Sequence, residues 1–374
     1  MDDKIAIKVK FINFIKNLPL ILIAVTLPWS ILTNNLAIIL LIIIQIYRLS
    51  TNLFFPKLDV ILFFFWSLFF LSGIGLTYTT DFPNGLKEFE KHLVFFIFPI
   101  FLPSLSQKSI NNLIYYFCIS FSLNFFHFLF LSDFNFSVLG NYQNLPMHYP
   151  YFGIYSAFCG LFILYRIAFN YNHQKFYLLP IFLFFFWLVL ISSSRNAQIY
   201  FFTTCYIIIL STLKSKKSKL LAIPIIIGFS ILLILKLPRF DQFVDALNVK
   251  ELSWLCSIES LDSSNKWLWG VGTGSAQNSL QECYKLHNSW FRQFKYNSHN
   301  QYLTFLLTNG IFSFLIFSFL ILYYMIISFK NKDFLLFLLI FSLSLSSISE
   351  SVLLVNKGII FYTFWLCLFS RVKV

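Results

Sequence analysis

The feature that most restricts this chain is an apolar run that recurs from about residue 17 to residue 370, interrupted at short intervals by a few polar residues. A membrane-spanning helix needs roughly 17–25 mostly apolar residues. On that measure the sequence predicts twelve spans, at about 17–32, 35–48, 59–77, 91–106, 110–132, 149–168, 176–193, 197–213, 218–236, 300–329, 332–348 and 352–370. The shortest fall below the measure and are expected to be tilted, merged or partly re-entrant. Charged residues make up 11% of the chain, against about 25% in soluble domains, which excludes a water-soluble fold. The expectation is an all-α, polytopic transmembrane bundle with one long external loop. No Ala-x-Ala-like cleavage site follows a short apolar segment at the front, so the first run is expected to be retained.

The formal charge of +13 reads as a topology signal, because Lys and Arg concentrate in short cytoplasmic loops. With the amino terminus inside, alternate loops receive 17 basic residues, from Lys4 through Arg48 and Lys57 to Arg371 and Lys373. The same loops hold four acidic ones, Asp2, Asp3, Asp59 and Asp333, and the difference equals the whole net charge. The excess is therefore no nucleic-acid footprint, and both termini are expected in the cytoplasm. The KSKKSK run at 214–219 reads as an inner-loop anchor in preference to a dedicated anionic-lipid site.

The alternation leaves segments at about 78–90, 132–148 and 237–299 on the outer side, the last containing most of the polar stretch Gly270–Gly310. Cys118, Cys159, Cys205 and Cys367 fall in predicted spans and read as small apolar residues. Cys256 and Cys283 form the pair in the long loop, where an oxidising compartment allows a disulfide. No Cys or His spacing suggests zinc, and neither metal nor cofactor is expected.

Three polar features fall at the outer mouth of the bundle: Arg195 in SSSRNAQ, His299 with Asn300, and Glu350. An arginine in hydrocarbon costs on the order of 3 kcal/mol and usually faces a polar cavity. Its planar fork suits a phosphate, and Ser192, Ser193 and Ser194 suggest a wet pocket beside it; the plain alternative is a snorkelling interface arginine. His299 is the best candidate proton acceptor, since an unperturbed imidazole titrates at about 6.5; a cap or interface role is the alternative, shared with His148 and His287. The glycines of GVGTG at 270–274 match neither the P-loop nor the dinucleotide fingerprint, so a nucleotide site is rejected there.

KELSW at 250–254, WGVGTGS at 269–275, SHNQYLTFLLTNG at 298–310 and SESVLLVNKG at 349–358 together resemble the shared region of the O-antigen ligase and O-antigen polymerase superfamily. The resemblance covers roughly 190–360. It divides the chain into N-terminal transmembrane spans at 1–190 and a ligase-like region at 191–370 that includes the periplasmic loop 237–299. The ligase motif is similar to His-(Asn/Ser/Gln), nine residues, then Gly-x-x-Gly-Thr; here His299, Asn300 and Gly310 fit, whereas Ser313 and Phe314 replace the second glycine and the threonine. Lys250 stands where the family often has arginine before the loop tryptophan that Trp254 resembles, and Arg292 or Arg239 is placed to compensate.

The resemblance implies an inverting, metal-independent glycosyltransferase at the periplasmic face of a bacterial inner membrane, with an undecaprenyl-diphosphate-linked glycan as donor. The acceptor is lipid A-core for a ligase, a lipid-linked glycan for a polymerase, and a protein in a third variant. Arg195 with Lys250 or Arg292 would bind the diphosphate, His299 would take the acceptor's proton, and Asn300 and Glu350 would support it. Membrane lipids would surround the Phe-rich surfaces and admit the polyprenyl chain laterally. A lipid-linked-glycan transporter is the competing class, although the two halves show no obvious internal repeat.

Overall fold

The structure, a computed structural model, describes residues 17–51, 56–135, 145–169, 175–213, 215, 243–264, 266–287 and 296–372. These residues form helices and contain no strand. In chain order they are α1 (Asn17–Thr26), α2 (Ile31–Ser50), α3 (Val60–Thr77), α4 (Phe82–Phe101), α5 (Gln107–Leu131), α6 (Tyr149–Phe169), α7 (Lys175–Ile191), α8 (Arg195–Thr212), α9 (Phe243–Ser264), α10 (Ala276–His287), α11 (Gln301–Lys330), α12 (Phe334–Ser349) and α13 (Asn356–Phe369). Short polar side chains mark several starts: Asp59, Asp81, Ser106, Asn300 and Asp333 each accept a hydrogen bond from the backbone N–H three residues on, satisfying a donor the first turn leaves free.

Eleven of the twelve expected spans correspond to helices, and the ninth, at 218–236, lies outside the described residues together with most of the KSKKSK run. Five helices, α2, α3, α5, α6 and α11, are long and apolar enough to cross a membrane, and α1, α12, α13 and Tyr177–Ile191 of α7 are shorter apolar helices. Their outward side chains are large and apolar: Leu32 is 70% exposed, and Phe63 and Phe130 are 64% and 65% exposed. Such a surface is stable against lipid and not against water. The chain is thus built as a helical membrane protein. The fourth span differs from expectation, starting at Phe82, because Asp81 caps the helix and Pro83 follows within its first turn; the external segment expected at 78–90 contracts to four residues.

The core joins α6 to α7 and α8, α3 to α4, and α11 to α3 and α12. Gly153 and Gly160 on α6 leave room for Ala197 and Phe201 of α8, the close approach that small residues allow between membrane helices. Phe117 packs with Tyr155, Phe158, Phe361 and Trp365, tying α5, α6 and α13 together.

Two findings change the sequence picture of the ends. Arg371, counted above among the inner-loop cations, is 1% exposed. Its fork meets Asp59 at 2.7 and 2.9 Å and donates to the carbonyls of Pro99 and Leu102 at 2.8 and 3.1 Å. Pro103 has no N–H to offer the Pro99 carbonyl four residues back, so the helix end needs an outside donor. The long loop, in turn, contains two helices, α9 and α10, with a small core of their own: Cys256, Leu261, Val271, Leu280 and Tyr284 close over Leu306 and Leu307 of α11.

The expected single span at 300–329 is broken. Gly310 has φ 74° and ψ −167°, so the helix stops and restarts there. The segment 267–273 packs into the break: Val271 and Gly272 donate to the carbonyls of Leu307 and Thr308 at 2.8 and 3.0 Å, and Ile311 donates to Trp267 at 2.9 Å. A Cβ on Gly310 would meet the Leu268 carbonyl, and a side chain at that φ is strained besides. Gly310→Ala is therefore expected to cost about 3 kcal/mol or more, while Gly73→Ala, whose Cβ would touch only the Phe89 ring at 3.3 Å, stays within about 1 kcal/mol of wild type. Thermal unfolding of the two variants in detergent compares them.

Candidate functional site

The turn between α12 and α13 sits on the start of α11, and this brings distant sequence segments together. Gln301 accepts from the Leu353 N–H at 2.8 Å, and Thr304 Oγ1 lies 2.8 Å from Ser351 Oγ. Tyr155 of α6 donates to the Lys357 carbonyl at 2.8 Å. Fixed by these bonds, Glu350 lies beside His299, with Oε2 3.3 Å from Nδ1.

His299 is held in an unusual way. Its φ is 45°, in the left-handed region that histidine enters more readily than most residues, and its N–H donates to Asn297 Oδ1 at 2.8 Å. A carboxylate only accepts, so the Glu350 contact assigns the proton to Nδ1 and leaves Nε2 as the basic nitrogen. Nε2 is buried and has no hydrogen-bond partner. Asn300 serves the helix instead: Oδ1 caps α11 through the Leu303 N–H at 3.1 Å.

His299 and Glu350 line a cavity of about 270 Å³ with His148, Tyr151, Tyr296, Asn297 and Ser351. Burial lowers the His148 pKa; Glu350 opposes the shift and His299 adds to it. Lys250 on α9 lies close enough to feel both Glu350 and Arg195. Burial is the largest influence and lowers its pKa, Glu350 works the other way, and Arg195 lowers it further. Glu350 thus lies within electrostatic reach of His148 and Lys250, and Arg195 within reach of Lys250. One turn beyond Lys250, Trp254 keeps a buried indole N–H without a partner.

Of the sequence-derived candidates, His299 and Glu350 meet, Lys250 is within electrostatic reach of Glu350, and Arg195 is within reach of Lys250. Arg292 and Arg239 lie outside the described residues. Two of the three serines beside Arg195 do not open onto a wet pocket. Ser192 and Ser194 are buried, and Ser192 Oγ is spent on the Val189 carbonyl at 2.7 Å and on the Ser194 N–H at 3.3 Å, closing the tight α7–α8 turn. Gln198, on the first turn of α8, braces the same turn through the Val189 and Leu190 carbonyls. Sequence reasoning left His148 with a bland role and did not single out Asn297, Tyr296 or Ser351. The only signal was nearness of the latter three to His299 and Glu350 along the chain.

Cys256 and Cys283 are joined in a disulfide. They stand one helical turn from Glu259 and His287, and the potential ligand atoms of all four lie within 4.8 Å of one another, a grouping that the sequence spacing did not suggest. The disulfide occupies both sulfurs, and Glu259 and His287 pair at 2.7 Å. Peptide mapping after alkylation without reductant is expected to find neither cysteine modified. Serine at both positions should cost the α9–α10 unit about 3–4 kcal/mol by the chain-entropy relation for a loop of this length, seen as faster proteolysis.

No family model and no curated protein matches the chain, so the functional reading rests on the residues and their geometry.

Proposed function

We propose that the chain is an O-antigen ligase-like glycosyltransferase that moves a glycan from undecaprenyl diphosphate to lipid A-core at the periplasmic face of the bacterial inner membrane, with both termini in the cytoplasm. The observation that carries the reading is His299: Nδ1 on Glu350, Nε2 without a partner, in a cavity with Lys250 and Arg195 nearby.

The residues suit the chemistry. An acceptor hydroxyl attacks the anomeric carbon of the donor from the face opposite the diphosphate, so the configuration inverts. His299 Nε2 takes the hydroxyl proton as the new C–O bond forms, and the Glu350 carboxylate stabilises the imidazolium. The C–O bond to the diphosphate breaks with its electron pair on oxygen, and Arg195 and Lys250 hold the charge that develops there. Lysine serves as a point charge where the arginine supplies a fork. Joining lipid-linked repeat units would use the same steps. Ser313, one of the two departures from the ligase motif, bonds to the Phe305 and Gly310 carbonyls at the kink, away from the cavity, and so does not favour the polymerase reading.

A strain lacking the gene is expected to accumulate long glycan on the lipid carrier; a single repeat unit on its lipopolysaccharide would mean a polymerase instead. His299→Ala should abolish transfer with abundance unchanged, and full activity in that variant would refute the base assignment. The pH dependence has a definite sign. Lys250 binds the diphosphate only as the ammonium, and its pKa is lowered from the usual lysine value, so transfer falls as pH rises through that lowered value. Lys250→Arg keeps its charge and should move the alkaline limb of the pH–rate profile upward.

A further inference from the structure

A second, larger cavity lies beside the first. Its volume is about 460 Å³, within the range of roughly 300–1,000 Å³ typical of ligand clefts. It is bounded by the first three turns of α4, the Thr273–Gly274 turn, α10 and the start of α11. Asn297 lines both cavities. The wall between them is a chain of side-chain hydrogen bonds: Ser298 Oγ to Thr304 Oγ1 at 2.6 Å, Thr304 Oγ1 to Ser351 Oγ at 2.8 Å, and Ser351 Oγ to Asn297 Oδ1 at 3.5 Å. A molecule seated in the second cavity therefore has the His299 cavity as its neighbour.

The lining is amide and hydroxyl, with Asn84, Gln277, Asn278 and Gln281 the principal polar groups. Three of these amides are held in place: Asp81 Oδ2 accepts from Asn84 and Asn278 at 2.7 and 3.0 Å, and Gln277 donates to the Tyr296 carbonyl at 3.1 Å. Of the charged residues on the lining, Lys91 is committed to Glu88 at 2.7 Å and to the Leu354 carbonyl at 3.0 Å, while Lys87 is exposed. Two lining groups are left over. Glu88 Oε2 and Gln281 Nε2 are buried without a hydrogen-bond partner, one able only to accept and the other to donate. A buried polar atom without a partner is costly and rare in a folded protein, and an acceptor and a donor together match the two faces of a sugar hydroxyl.

We propose that this cavity is the glycan-binding subsite for the acceptor, taking a hydroxyl-rich sugar unit with Glu88 Oε2 and Gln281 Nε2 on its hydroxyls and presenting the next hydroxyl toward His299. The assignment of the sugar as acceptor rests on the transferase reading above; the binding of a sugar there does not.

The test is direct binding to the purified full chain in nanodiscs, read by ligand-observed NMR. Three probes are used: delipidated core oligosaccharide, the lipid-free repeat-unit oligosaccharide, and undecaprenyl diphosphate without sugar. One of the two oligosaccharides should bind, and which one tells the acceptor's source. Gln281→Leu removes the orphaned donor, and Ala276→Phe fills the cavity without deleting a side-chain hydrogen bond. Each should weaken oligosaccharide binding at least tenfold and leave the carrier's affinity within twofold. Failure of both oligosaccharides to bind the wild type overturns the proposal, as does unchanged oligosaccharide affinity in both variants or a parallel loss of carrier affinity. Oligosaccharide binding with the expected losses, in a protein that forms no glycosidic bond from donor and acceptor, would refute the transferase reading and leave the sugar site standing.

Discussion

The break in α11 at Gly310 organises this molecule. In a membrane every backbone polar group must be satisfied inside the protein, and a helix interrupted by a residue at φ 74° leaves carbonyls and an N–H that lipid cannot serve. The segment 267–273 supplies them, through Val271, Gly272 and Trp267. Gly310 and Gly270 allow the two backbones to touch, and Thr273 and Asn309 carry the contact on to the carbonyls of Ser72 and Leu71 in α3. Tyr78 adds a bond to the Trp269 carbonyl. Helix break and loop thus complete one another, and neither is a stable structure alone.

From that interlock the site follows. The loop, anchored at its glycine turn, carries α9 and α10 over the first half of α11, where a small apolar core and one disulfide hold them. Lys250 arrives on α9 and His299 on the loop's far end. The α12–α13 turn brings Glu350 from the other direction, seated by Gln301 and Thr304. At the opposite extreme of α13, Arg371 is locked to Asp59 and to the carbonyls at the end of α4. A buried ion pair of this kind is weak evidence for stability but severe to break, and here it ties α13, on whose other end the Glu350 turn depends, to α3 and α4.

Much of the candidate site was legible from residue chemistry. Arg195, His299 and Glu350 stood out because charged and titratable groups are scarce in an apolar chain and are costly unless they have partners, whereas Lys250 was marked only by the family resemblance. The same reasoning misjudged neighbours whose meaning depends on where a side chain points. Ser192 and Ser194 look like the rim of a wet pocket and instead close a turn, because a serine hydroxyl is as readily spent on its own backbone as on a ligand. Arg371 looked like an ordinary topology charge. The second cavity escaped entirely: Glu88, Asn84, Gln277 and Gln281 lie on two helices separated by almost two hundred residues, and amides in a polar stretch carry no signal of their own.

By itself the sequence determined the class of fold and the positions of most helices, since hydrophobic length and polar caps are local properties set by the cost of exposing backbone to lipid. Tertiary structure alone decided that the long span is broken at Gly310, that the glycine turn fills the break, that His299 faces Glu350, and that two cavities lie side by side. Those are matters of which backbone groups and side chains find partners across long sequence separations, and hydrogen bonding of that kind leaves no periodic trace along the chain.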